Sequence, residues 1–167
     1  ISIFLYLFFI YSFLGWIMEV SLTLITDKKF VNRGFLLGPC CPIYGCGCIL
    51  LNLLLPNYTN NVLVLFILTM FTCSLLEYIT SFLMEKIFKL RWWDYSQMRF
   101  NINGRICLET MAPFSILGVL AIKYATPFFI TNINKLSEKA ILIISIILTT
   151  LFIIDVIISL IIVFKLK

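Results

Sequence analysis

Four carboxylates interrupt otherwise apolar runs: Glu19, Glu77, Glu109 and Asp155. A charge inside a membrane span costs about 2.5–3.5 kcal/mol on insertion scales, so such residues are expected to face a protein interior or a water-filled cavity. Glu19 shares a helical face with Ser12, Gly15 and Thr23, and Glu77 with Ser74, Ser81 and Glu85. These are the steps of three and four that bring side chains together on one side of a helix. Asp155 lines up with Ser159 and more loosely with Thr149 and Ser145. Asn32 and Arg33 follow the first acid, and Asn103 and Arg105 follow the second. A buried carboxylate can act as general base, and a guanidinium can grip an anion with two parallel hydrogen bonds. We therefore expect Glu19, Asn32, Arg33, Tyr44, Glu77, Asn103, Arg105 and Glu109 to line a polar cavity. If that cavity is catalytic, Glu19, Glu77 or Glu109 would be the base. Equally, the acids could pair with Arg33, Arg91 or Arg105 and only lock the helices together. Glu85 is expected to be solvated at the membrane interface.

Two further segments carry unusual residues. The stretch from Asn32 to Gly47 holds Pro39, Pro42 and four glycines. Proline removes a backbone donor and glycine admits non-helical conformations, so a broken, re-entrant or kinked entry into the second helix is expected. Exposed amides there, beside Arg33, would suit an anion. The linker 85–105 holds Arg91, Trp92, Trp93, Asp94, Tyr95 and Arg99. Its aromatic and basic residues fit an interfacial anchor on anionic headgroups. They fit equally a surface for docking a partner or covering the cavity. The six cysteines match no zinc spacing, and the chain has no histidine, so no metal site and no cofactor is expected. No G-x-x-x-x-G-K-[ST], G-x-S-x-G or H-E-x-x-H motif occurs, which leans against an enzyme and against intrinsic ATP hydrolysis.

The elements that must position these residues follow from composition. Of the 167 residues, 62% are hydrophobic and 13% charged, against about 45–50% and about 25% in a soluble domain. That excludes a soluble globule, a disordered chain and a nucleic-acid-binding module. Five stretches, 3–25, 35–55, 62–84, 106–125 and 140–164, reach the roughly 20 residues a helix needs to cross the hydrocarbon core. None alternates with the period of two of a barrel strand. The fold class expected is thus an all-α integral membrane protein: about five transmembrane helices in one domain, with a broken or kinked second helix and a long cytoplasmic linker between the third and fourth. Ten of the thirteen Lys and Arg residues lie in 26–34, in 85–105 and at the C-terminal end. With five spans these segments share one side, and the positive-inside rule puts them in the cytoplasm and the N-terminus outside. The chain starts at Ile1 rather than Met, so its natural N-terminus is expected upstream. A weak similarity between Glu19…Asn32-Arg33-Gly34…Pro39 and Glu77…Asn103-Gly104-Arg105…Pro113 allows a duplication of hairpins within 1–125.

These motifs together resemble a known family. Phe13-Leu14-Gly15-Trp16 with Glu19, Phe30-Val31-Asn32-Arg33-Gly34-Phe35, Gly38-Pro39 and Cys41-Pro42-Ile43-Tyr44-Gly45 carry the resemblance. It continues through Leu76-Glu77-Tyr78, Glu85, Trp92-Trp93-Asp94-Tyr95-Ser96 and Asn101-Ile102-Asn103-Gly104-Arg105-Ile106-Cys107. The chain is similar over roughly 11–120 to the family called Putative ABC-transporter type IV, small membrane proteins mainly of Gram-positive bacteria. The resemblance implies a multi-pass protein of the bacterial plasma membrane and the permease subunit of an ABC-type transporter, for a substrate its motifs do not specify. The partners implied are the lipid bilayer, a separate ATPase subunit and a second copy of the chain, with no nucleic acid. Two alternatives stay open: an intramembrane enzyme acting on a lipid or phosphate-bearing substrate, and a non-catalytic membrane scaffold.

Overall fold

The computed structural model describes residues 2–165. Lys167, one of the basic residues of the C-terminal end, lies outside the described residues. The protein is all-α. Its helices are α1 (Ser2–Asp27), α2 (Pro42–Leu54), α3 (Val62–Phe88), α4 (Leu108–Ile133) and α5 (Glu138–Lys165). A short 3-10 turn occupies Pro56–Tyr58, and two strands, β1 (Asn101–Ile102) and β2 (Ile106–Cys107), form an antiparallel hairpin. Helices α1, α3, α4 and α5 are long and apolar enough to cross a membrane.

The second apolar stretch behaves differently. Residues 28–41 form no helix, and α2 has only 13 residues. At about 1.5 Å per residue it covers about 20 Å, short of a hydrocarbon core of about 30 Å. Pro39 and Pro42 cannot donate into a helical ladder, and α2 starts at the second of them.

Helix ends follow local chemistry. Asn61 caps α3 by accepting from the Leu63 and Val64 amides at 3.1 and 3.2 Å, which satisfies donors that have no partner within the helix. Glu138 and Lys165 sit at the ends of α5 where their charges oppose the helix dipole. Helix α4 runs eight residues beyond the end expected at 125, despite Pro127. The turn Ala121–Ala125 is a π-helix, and the Thr126 N–H reaches back to the Ala121 carbonyl. A wider turn makes room where a proline ring would otherwise collide with the carbonyl four residues earlier.

The chain divides into two compact units. Unit 1 joins the chain up to Cys46 with the chain from Ile130, and unit 2 is Gly47–Phe129. In unit 1, Phe152 of α5 meets Phe8 and Phe9 of α1 edge to face, with centroids 5.5 and 5.8 Å apart. In unit 2, the core gathers Leu51, Leu55, Leu65, Val119 and Ile122. There Gly118 of α4 faces Thr69 of α3 so closely that a Cβ would overlap it, the small-residue packing that membrane helices favour.

Candidate functional site

The eight expected cavity residues divide between the units: Glu19, Asn32, Arg33 and Tyr44 in unit 1, and Glu77, Asn103, Arg105 and Glu109 in unit 2. In unit 1 the irregular segment 28–41 is built from polar contacts. It leaves α1 through Lys28, whose φ of 53° ends the helix. Trp16 Nε1 donates to Asn32 Oδ1 at 2.5 Å, and Asn32 Nδ2 donates to the Leu37 carbonyl at 2.7 Å. Asp155, on α5, then takes the next two amides: Leu37 N at 3.0 Å on Oδ1 and Gly38 N at 3.0 Å on Oδ2. Ser159, one turn further along, accepts from Leu37 N and donates to Asp155 Oδ1, both at 3.2 Å. The anion on these amides is therefore one that the chain itself supplies. Beyond them the Cys41 amide reaches the Ser12 carbonyl at 3.0 Å.

Tyr44 follows on α2. Its ring lies against Gly15, where a Cβ would overlap it, and its hydroxyl donates to Glu19. Gly15 and Glu19 are one helical turn apart, so one face of α1 supplies both the room for the ring and the acceptor for its tip. The Arg33 residue is exposed, and its carbonyl accepts from the Cys41 thiol at 3.5 Å.

Unit 2 is organised around Glu85. This carboxylate receives Arg91 Nε at 3.0 Å and Arg105 Nη2 at 2.6 Å. Arg105 is held further by Ser81, 3.2 Å from Nη1, and its guanidinium lies 5.8 and 5.4 Å from the ring centroids of Tyr78 and Phe82. A planar cation with a rigid donor fork suits this mixture of carboxylate, hydroxyl and aromatic faces. Arg105 itself lies in the turn of the β1–β2 hairpin. Asn103 and Gly104 have φ of 54° and 67°, and Arg105 N closes on the Ile102 carbonyl at 3.0 Å. Positive φ at both central positions is the type I′ turn, for which Asn-Gly is a favoured pair.

The hairpin is tied down from several sides. Asn103 Nδ2 donates to Tyr78 Oη at 2.8 Å, Tyr95 Oη to Glu77 at 3.1 Å, and Trp93 Nε1 to the Arg105 carbonyl at 3.0 Å. Trp92 packs edge to face on Phe88 with centroids 5.3 Å apart. Asp94 accepts from the Ser96 hydroxyl and amide and meets Arg91 at 3.4 Å. The Ser96 hydroxyl and amide, with the Arg91 guanidinium, hold the Asp94 carboxyl below its usual range. Of the residues expected to dock a partner, Arg91, Trp92, Trp93, Asp94 and Tyr95 are thus engaged within the unit. Arg99 is exposed, with exposed Met98, Phe100 and Ile102 near it in sequence. Glu109 sits exposed in the first turn of α4, a favourable place for a negative charge.

A family model described as Putative ABC-transporter type IV matches residues 6–160. The chain belongs to that family. The match takes in both polar networks and most of α5, the helix whose motifs added least to the resemblance. No curated protein and no solved structure matches the chain. Two residues central to these networks were not among the expected site residues of this family member. Glu85, expected at the interface and in contact with water, keeps a side chain about one-third exposed and in addition joins Arg91 and Arg105, a role its place one turn beyond Glu77 and Ser81 does not reveal. Asp155 stood apart from every other motif, and only the four-residue step to Ser159 hinted at a paired role. Among the described residues, the six thiols are free and no group of acids and thiols could hold a metal ion.

Proposed function

We propose that the chain is the permease subunit of an ABC-type transporter of the bacterial plasma membrane, with a separate ATPase docking on the β1–β2 hairpin. The observation that carries this reading is the contrast between the two sides of the linker. Its aromatic and charged residues are fastened back onto α3, while Met98, Arg99, Phe100 and Ile102 stay exposed outside the long apolar helices. Aromatic, Met and Arg side chains on a stiff support are the residues that anchor protein interfaces. The basic linkers would face the cytoplasm, where an ATPase resides. That orientation needs residues 35–55 to return the chain across the bilayer.

Glu19, Asn32 and Tyr44 would then be positioning groups within unit 1, holding the segment that follows α1, and Glu77 and Arg105 positioning groups within unit 2, holding the hairpin. An intramembrane enzyme draws less support, because Glu19, Glu77, Glu85 and Asp155 each already accept a hydrogen bond from the chain itself. Affinity isolation from native membranes in mild detergent tests the reading. Wild type should retain a P-loop ATPase, and Arg99→Glu with Phe100→Ala should lose it while keeping its thermal midpoint. Arg91 is left intact because it holds the hairpin together. Absence of any P-loop ATPase from the wild-type isolate would remove the reading.

A further inference from the structure

The last two turns of α3 and the start of the linker form an open groove of about 280 Å³, lined by Phe82, Glu85, Lys86, Lys89 and Arg105. Its charges do not balance. Glu85 is shared between Arg91 and Arg105, so its negative charge is already satisfied. Among the described residues no ion pair holds Lys86 or Lys89. Two ammonium groups therefore border one cavity whose only carboxylate is already taken. Lys86 Nζ and the Arg105 guanidinium lie 5.9 and 5.4 Å from the Phe82 ring centroid, which brings both cations to one wall.

Lys89 adds a second, independent observation. It closes α3 with φ of 58°, and its N–H returns to the Glu85 carbonyl at 2.8 Å. This left-handed cap position is one that glycine fills without strain and that other side chains adopt at a cost. Lys28 ends α1 in the same conformation, so the position marks the helix end, and what Lys89 adds to the groove is its cation. Lysines near a helix C-terminus also oppose the helix dipole, but the dipole amounts to about half a charge and calls for no second cation in the same cavity. The volume is below the roughly 300–1,000 Å³ of pockets that enclose drug-sized ligands, and suits one small anionic group.

We propose that this groove binds a phosphate group, with Lys86 and Lys89 as its ligands and the Glu85-anchored Arg105 as its wall. Its place at the end of a long apolar helix makes a lipid headgroup one source of that phosphate and a soluble phosphate compound the other.

Full-length protein in neutral detergent is titrated calorimetrically with short-chain phosphatidic acid, short-chain phosphatidylcholine and inorganic phosphate. Phosphatidic acid should bind more tightly than phosphatidylcholine. The Lys86→Gln/Lys89→Gly variant should bind it about twenty-five-fold more weakly, on the basis of about fivefold per cation near a membrane surface. The same variant should melt no lower than wild type, because glycine relieves the left-handed position. Binding of inorganic phosphate with the same loss in the variant assigns the groove to a soluble compound; binding of the lipid alone assigns it to a headgroup. Independently of any variant, lipid affinity should fall between about 0.01 and 0.15 M salt, as the screening length shrinks from about 30 to about 8 Å. Unchanged affinity in the variant, equal binding of phosphatidylcholine, or insensitivity to salt would each overturn the proposal. Neither lysine takes part in the ATPase test, so this site and the transport reading can fail separately.

Discussion

Two irregular segments of similar origin are stabilised by opposite means. Each follows a long apolar helix whose end is marked by a left-handed lysine, Lys28 after α1 and Lys89 after α3. Each then passes a glycine with positive φ, Gly34 or Gly104. The first segment is held by a carboxylate that meets neutral donors: Asp155 takes the Leu37 and Gly38 amides and the Ser159 hydroxyl. The second is held by a carboxylate that meets cations, Glu85 with Arg91 and Arg105. Among the described residues, every ion pair lies in unit 2. Fixed dipoles can satisfy a carboxylate without bringing in a second charge that must also be desolvated. Guanidiniums do so where water still reaches, and there a pair contributes little on its own.

The contrast predicts unequal costs. Asp155→Ala should be the most damaging change, destabilising the protein by about 3 kcal/mol in mixed-micelle unfolding, because two amides lose a charged acceptor. Asp155→Asn, which keeps one acceptor oxygen, should recover part of this. An Asp155→Ala cost no larger than that of Glu85→Gln would remove the distinction between the segments. Gly104→Ala should come next, at about 2 kcal/mol: the left-handed position disfavours a Cβ, and the new methyl would meet Asp94 and Ser96. Circular dichroism melting of that variant checks it.

In the same unfolding assay, Glu85→Gln and Arg105→Gln should each destabilise less than Gly104→Ala, and the double variant by less than the sum of the two. Strict additivity would show that the pair is geometric only. The smallest effect concerns Asp94. Its carboxyl titrates below the ordinary 3.8, so the ordering it gives the hairpin is complete above that pH and is lost as pH falls through the lower, folded value. Protection of the Ser96 amide from hydrogen exchange, taken relative to its intrinsic rate at each pH, should fall only in that acid window, and Asp94→Asn should abolish that fall. A fall already near neutral pH would mean that another group controls the turn.

How much of this could be read from residues alone depends on the range of each interaction. The long helices were legible because apolar runs report burial in lipid directly. The interruption before α2 was legible too, since Pro39 and Pro42 act on their own backbone. Asn103-Gly104 was present as a hairpin signal, but its neighbours Asn101 and Ile102 make too short a strand to alternate visibly. The hub role of Glu85 could not be read, because a carboxylate six residues from one arginine and twenty from another has no periodic signature. Asp155 was harder still, for its amides lie in a segment whose shape is itself created by the contact. Of the outward side of the linker, Arg99 is legible as a docking residue but Met98, Phe100 and Ile102 are not: tryptophan and tyrosine attract notice as anchors, and here they hold the linker to its own unit.

The Asp155 clamp also sets a sequence of events. Leu37 and Gly38 leave the ribosome more than a hundred residues before the carboxylate that receives their amides. At about 5–20 residues per second the interval is on the order of ten seconds. During that time the segment after α1 has no internal partner for those donors. The irregular stretch after α1 is therefore completed only by α5, and a chain released before α5 would keep it open. Such an open stretch would let a quality-control protease distinguish an unfinished chain from a finished one.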